Sequence, residues 1–181
     1  MAFCVTGKHE GAAYAPVRGA VVLAALAAIL LLAVAVCALH WQNAVSLRGT
    51  IRLVDCETTD GAREGLTPLV EEARTRGGAI YLSGALLREG AVGEVRVRVA
   101  LIRKGSDEAT LLNTQMVRRY DLAQAFGCDD HCGFAAAVRV GSLSPEEYDI
   151  ALIDESDGAR RLVTTGRTLT VGKAGSARLG D

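Results

Sequence analysis

The sequence predicts a mainly β protein: an antiparallel β-sandwich with one short helix, carried behind a single transmembrane helix. Three observations lead there. An uncharged apolar run fills positions 19–39, short segments from Val45 onward alternate apolar and polar residues, and turn residues separate those segments at intervals of about ten positions.

The apolar run reads GAVVLAALAAILLLAVAVCAL, without a charged side chain. At about 1.5 Å per residue it covers roughly 30 Å, the thickness of a bilayer's hydrocarbon core. It also lacks the polar face that a helix packed on a soluble core would carry. Tyr14 and Trp41 flank it, where aromatic side chains meet headgroups. Lys8 and Arg18 before the run balance Arg48 and Arg52 after it, so the basic residues alone do not orient it. A short leading tail and a long following domain favour a cytoplasmic tail over 1–18, an uncleaved signal-anchor over 19–39 and an extracytoplasmic domain over 45–172. Ala33-Val34-Ala35 offers small residues for a signal peptidase, the competing reading, although the run is longer than the usual cleaved signal.

Composition bounds the remainder. Of 181 residues, 142 follow the run, and the expected domain takes roughly 130 of them, enough for one core. The 20 basic and 21 acidic residues give a net charge of −1, which supplies no field for nucleic acid.

Residues 45–53, VSLRGTIRL, read as a first strand. Leu66, Leu69, Val70 and Ala73 recur at helical spacing with Gly77 as a stop, which predicts the one short helix over 66–76. Period two returns with Ile80, Leu82 and Leu86, and again with Val95, Val97, Val99 and Leu101 against Arg96 and Arg98. Further strands are expected over 110–117, 134–140, 148–153, 161–164 and 168–171. Lys104-Gly105-Ser106-Asp107, Ser144-Pro145-Glu146 and Asp157-Gly158 supply turns. Many short strands with one helix predict two packed antiparallel sheets, with Phe134, Val138, Tyr148, Ile150 and Leu152 joining the inward valines. A parallel α/β fold is the alternative, but no second helix follows. The Gly-rich tail 173–181 is expected to be disordered.

The run 80–171 resembles the immunoglobulin-like sandwich modules of bacterial cell-surface and carbohydrate-related proteins. The resemblance rests on Leu82-Ser83-Gly84-Ala85, the alternation from Glu94 to Ile102, Arg119-Tyr120-Asp121-Leu122 with Phe126, Gly133-Phe134, and Leu143 followed by Glu147-Tyr148-Asp149-Ile150. It implies a fold and carries no binding residue.

The stretch richest in chemistry is Cys128-Asp129-Asp130-His131-Cys132. Outside a membrane the compartment is oxidising, which predicts a disulfide between Cys128 and Cys132, with Asp129, Asp130 and His131 exposed as a candidate contact loop. The same donors are a candidate zinc set, although a tetrahedral site generally recruits ligands from a second segment. Cys56 is left over and is expected to be buried. The chain has three histidines, of which only His131 lies in the predicted domain, so catalysis by a Ser-His-Asp or Cys-His relay would have to use it. No orienting group or oxyanion hole is marked nearby. Asp154-Glu155-Ser156-Asp157-Gly158 lacks the spacing of a calcium loop and reads as a turn. Gly172-Lys173 lacks the glycine and hydroxyl of a phosphate loop. Arg118-Arg119 and Arg160-Arg161 read as solvated edges, with Arg119 and Asp121 as a corner ion pair.

The expectation is therefore a non-enzymatic, membrane-anchored extracytoplasmic module, without cofactor or catalytic residue, that binds an envelope protein or a glycan. The alternative is a small metal- or thiol-dependent enzyme using the Cys128–Cys132 loop.

Overall fold

The computed structural model describes residues 19–59, 65–89 and 95–181. The expected cytoplasmic tail, 1–18, and Glu94, the expected start of the long alternating strand, lie outside them. The chain divides after His40 into two units.

Helix α1, Gly19–Ala44, is 26 residues long and runs past the expected end at Leu39. It is long and apolar enough to cross a membrane, and none of its side chains is buried in protein.

The unit 41–181 is mainly β. Its strands are β1 (Leu47–Arg52), β2 (Glu57–Thr59), β3 (Leu66–Arg76), β4 (Ala79–Arg88), β5 (Val97–Arg103), β6 (Glu108–Val117), β7 (Gly133–Arg139), β8 (Glu147–Asp154), β9 (Arg161–Val171) and β10 (Ala177–Gly180), with a short helix α2 (Tyr120–Phe126). They form one curled sheet in the order β10-β9-β8-β5-β6-β7-β4-β3, with β1 beside β6 and β2 parallel to β9.

The expected two-sheet sandwich is corrected by β6. Its first half pairs with β5 and β1 (Leu111 opposite Ala100, Thr110 opposite Thr50), whereas its second half pairs with β7 (Asn113 opposite Ala137). One strand thus joins both halves by backbone hydrogen bonds, and the sheet curls into a half-barrel. Thr75 on β3 accepts from the Ala177 backbone N–H on β10 at 3.1 Å, so the two ends of the path meet.

The helix expected over 66–76 is the strand β3. Its register slips between Val70 and Glu72, leaving Glu71 as a bulge residue. Val70 and Leu66 point into the core before the bulge, Ala73 packs on the core after it, and Leu69 joins a cluster on the outer face. A parity flip that turns Leu66, Val70 and Ala73 inward, with Leu69 covered on the opposite face, reproduces the 66-69-70-73 spacing of a helix. Pro68 is accommodated because β3 ends the sheet path. Gly77 and Gly78, read as a helix stop, have φ of 58° and 75° and form the two-residue turn that opens β4.

Two further expectations change. Segments 161–164 and 168–171 are one strand, β9, interrupted by a bulge at Thr165 and Gly166 where the register jumps from Thr164 to Arg167. The tail 173–181, expected to lack order, carries β10, which pairs Leu179 with Leu169.

The core follows the alternation. Val95, Val97, Val99, Leu101, Phe134, Val138, Tyr148, Ile150 and Leu152 all belong to the main buried cluster. Two smaller clusters cover the outer face: Ile51, Cys56, Ala109 and Leu162 in one, and Ala85, Leu87 and Cys132 with Leu69, Leu122 and Cys128 in the other. The second cluster seats α2 and the loop that follows it.

Candidate functional site at the Cys128–Cys132 loop

Helix α2 has only seven residues, too few to be stable alone, so tertiary ties must hold it. Leu122 supplies the apolar one. Arg119, at its N-cap, supplies the polar one. Its guanidinium donates to both oxygens of Glu71, at 2.6 and 2.9 Å, and to both oxygens of Asp121, at 2.9 and 2.7 Å. The expected Arg119–Asp121 pair is present, and the bulge residue Glu71 completes it. Hydrogen bonds to Asp121 and Glu71 hold the guanidinium well above its usual range, and the hydrogen bond from Arg119 lowers Asp121 to about 2. The Arg119 backbone N–H also donates to the Asp130 carbonyl at 2.7 Å, which ties α2 to the loop.

Inside the loop, the Asp129 side chain caps a short 3₁₀ turn over 130–132 by accepting from the His131 backbone N–H at 2.8 Å. That bond is the first cause of the lowered pKa of Asp129. His131 Nδ1 stands 2.8 Å from Asp130 Oδ1 and 3.3 Å from Asp129 Oδ1. On its other side, Arg118 Nε donates to His131 Nε2 at 3.0 Å. The hydrogen-bond network therefore assigns the proton to Nδ1 and the lone pair to Nε2.

Asp129, Asp130 and His131 present ligand atoms within 4.8 Å of one another. The pattern nonetheless suits an ion cluster better than a metal. A metal on Nδ1 would need the proton on Nε2, the position that Arg118 occupies as donor, and the Arg118 guanidinium lies 3.9 Å from Asp130 Oδ2. Arginine already supplies the positive charge that a cation would bring.

The expected disulfide is not formed. Cys128 and Cys132 are free thiols with sulfurs 4.0 Å apart, against about 2.05 Å for a bond. Cys132 is fully buried, and its pKa is pushed up to about 11, by burial first and then by Cys128 beside it. Cys128 Sγ lies 3.8 Å from the Leu122 carbonyl, and among the described residues it makes no hydrogen bond to His131. Cys56 is buried as expected, and burial raises its pKa too.

The Asp154–Gly158 turn is held by arginines rather than shaped around a cation. Asp157 pairs with Arg88 and Arg161, and Glu155 with Arg98 and Arg160. Buried Asp154 accepts from the Ser156 backbone N–H at 3.0 Å and has Arg161 at 3.8 Å.

No family model matches the chain, and neither a curated protein nor a solved structure matches it.

The pattern reading missed what surrounds the loop. Tyr120 and Phe126, at the two ends of α2, are 63% and 59% exposed, and Val117 just before them is 40% exposed. Gly127 directly after Phe126, as the helix's C-cap, was the available signal for a helix ending there.

Proposed function

We propose that the chain is a non-enzymatic, membrane-anchored interaction module: the apolar run 19–39 of α1 spans the membrane, residues 41–181 lie outside it, and α2 with the Cys128–Cys132 loop docks another envelope protein. The observation that carries this is the exposure of two aromatic side chains on a single short helix that Arg119 and Leu122 pin to the sheet. Exposed aromatic residues next to fixed charges form the anchor-and-rim pattern of protein interfaces. Asp129, Asp130, His131 and Arg118 supply the charged rim. A protein partner is favoured over a glycan because Val117 adds a third exposed apolar side chain to those of Tyr120 and Phe126.

A photo-crosslinking residue placed at Phe126 in the full chain in its native membrane should yield one discrete protein adduct, which Tyr120→Asp abolishes. The same probe at Val54, 82% exposed but remote in sequence from α2, is the control and should yield none. Equal adducts from both positions, or none from Phe126, would refute the docking face, and an adduct that stains only as carbohydrate would replace the protein partner by a glycan.

A further inference from the structure

A second surface lies where the domain meets the end of α1. Asn113, at the point where β6 changes partners, donates through Nδ2 to the carbonyls of Asn43 at 2.9 Å and Ala44 at 3.3 Å, and accepts from Arg48 Nε at 3.2 Å. The Arg139 backbone N–H donates to the Val45 carbonyl at 3.0 Å. Two residues earlier in the helix, the Trp41 ring stands 6.2 Å from that of Tyr81 on β4. These ties hold the last turn of α1 against this end of the sheet.

Between Trp41 and the outer face of β3, β4 and β7 runs a groove of about 530 Å³. Trp41, Tyr81 and Ala135 make its wall apolar, and Arg74, Arg76 and Glu72 line its rim. The bulge at Glu71 sets this pattern, because after it Glu72, Arg74 and Arg76 share the outward side of β3. Glu72 is taken by Arg74 at 2.5 Å. Two guanidinium groups, Arg74 and Arg76, thus stand against one carboxylate in this groove.

We infer that this groove holds the headgroup of an anionic phospholipid, with the phosphate between Arg74 and Arg76 and the first carbons of an acyl chain against Trp41 and Tyr81. The inference rests on the reading that α1 spans a membrane. Three physical points carry it. Val45 follows Leu39 by six residues, so the tied turn lies within roughly 9 Å of the apolar run, about one Debye length at physiological salt. The excess of arginine complements a negative headgroup layer, and guanidinium binds phosphate through paired N–H donors. The groove's size suits a headgroup-sized ligand, and an apolar wall with a few convergent cations suits a group that is charged at one end and apolar at the other.

Trp41 is the only tryptophan in the chain, so its fluorescence reports this groove alone. The full chain would be reconstituted in vesicles containing equal amounts of phosphatidylglycerol and phosphatidylcholine, with bromine near the headgroup end of the acyl chains of one lipid or the other. Brominated phosphatidylglycerol should quench Trp41 about twofold more than brominated phosphatidylcholine, and the preference should fall as salt rises. An Arg74→Gln/Arg76→Gln variant, altered only at exposed positions, should insert equally and quench evenly with both lipids. Even quenching in the unaltered chain, or a preference that survives in the variant, overturns the lipid site while leaving the anchor intact. A chain that fails to enter vesicles at all overturns both readings.

Discussion

Arg119 grips Glu71 across 48 positions of sequence, with two N–H donors 2.6 and 2.9 Å from the two carboxylate oxygens. The same guanidinium holds Asp121 on α2, so one side chain links the bulge of β3 to the candidate contact face. Glu71 is available only because the bulge leaves it without a partner in the β3–β4 register, on the exposed side of the strand. An exposed ion pair contributes little, but a bidentate one on a partly buried arginine lies at the upper end of the range.

Arg119→Gln should therefore detach α2 more than it unfolds the domain. Amide exchange should rise at Ala123 and Gly127, whose N–H groups are bonded within the helix, while β5 and β8 stay protected. A double-mutant cycle with Glu71→Gln is expected to give a coupling of about 1 kcal/mol. Zero coupling, or uniform loss of protection across the sheet, would contradict this role.

Acid should weaken the fold in a defined window. Asp121 and Asp157 are both lowered to about 2, by hydrogen bonds from Arg119 and from Arg88 and Arg161. A carboxylate with a depressed folded pKa stabilises above its unfolded value, near about 4, and that contribution disappears as pH falls toward 2. Melting temperature should drop between about pH 4 and 2, and Asp121→Asn/Asp157→Asn should start lower at pH 6 and fall less steeply. Parallel curves for the two proteins would show that these groups do not drive the loss.

Gly84→Ala should be destabilising, although glycine inside a strand ordinarily gains from that change. A Cβ there would lie 2.0 Å from the Leu69 carbonyl oxygen and 2.7 Å from Phe134 Cζ, so β3 or the core must shift. A cost of about 1–3 kcal/mol is expected in urea titration. Gly141→Ala, which meets nothing within 4 Å, is the control and should be close to neutral. A neutral Gly84 variant would mean that β3 is not packed as described.

With reductant, iodoacetamide at pH 8 should label Cys128 well before Cys132 and Cys56, as read by peptide mass spectrometry. Cys128 is half-buried, whereas the other two are buried and their thiols resist ionisation. Labelling of Cys132 should climb only as pH approaches 11. Equal rates would refute the burial order. Protection of both loop thiols until reductant is added would restore the disulfide that the sequence suggests.

Local pattern by itself determined a good part of this protein. The apolar run over 19–39 needs no partner to declare a long apolar helix, and the alternation at Val97, Val99 and Leu101 declares an inward face wherever the strand pairs. The Arg119–Asp121 pair was legible because its members lie two residues apart. Tertiary structure alone decided the rest. Leu66, Leu69, Val70 and Ala73 carry helical spacing, yet pairing with β4 makes them a strand, because a parity-flipping bulge together with Leu69 covered on the opposite face mimics that spacing. Whether the strands form two sheets or one turned on Asn113, where β6 passes from one set of partners to another. Side-chain spacing records which positions avoid water. The choice among backbone hydrogen-bond partners is made between segments far apart in the chain, and no local window contains both.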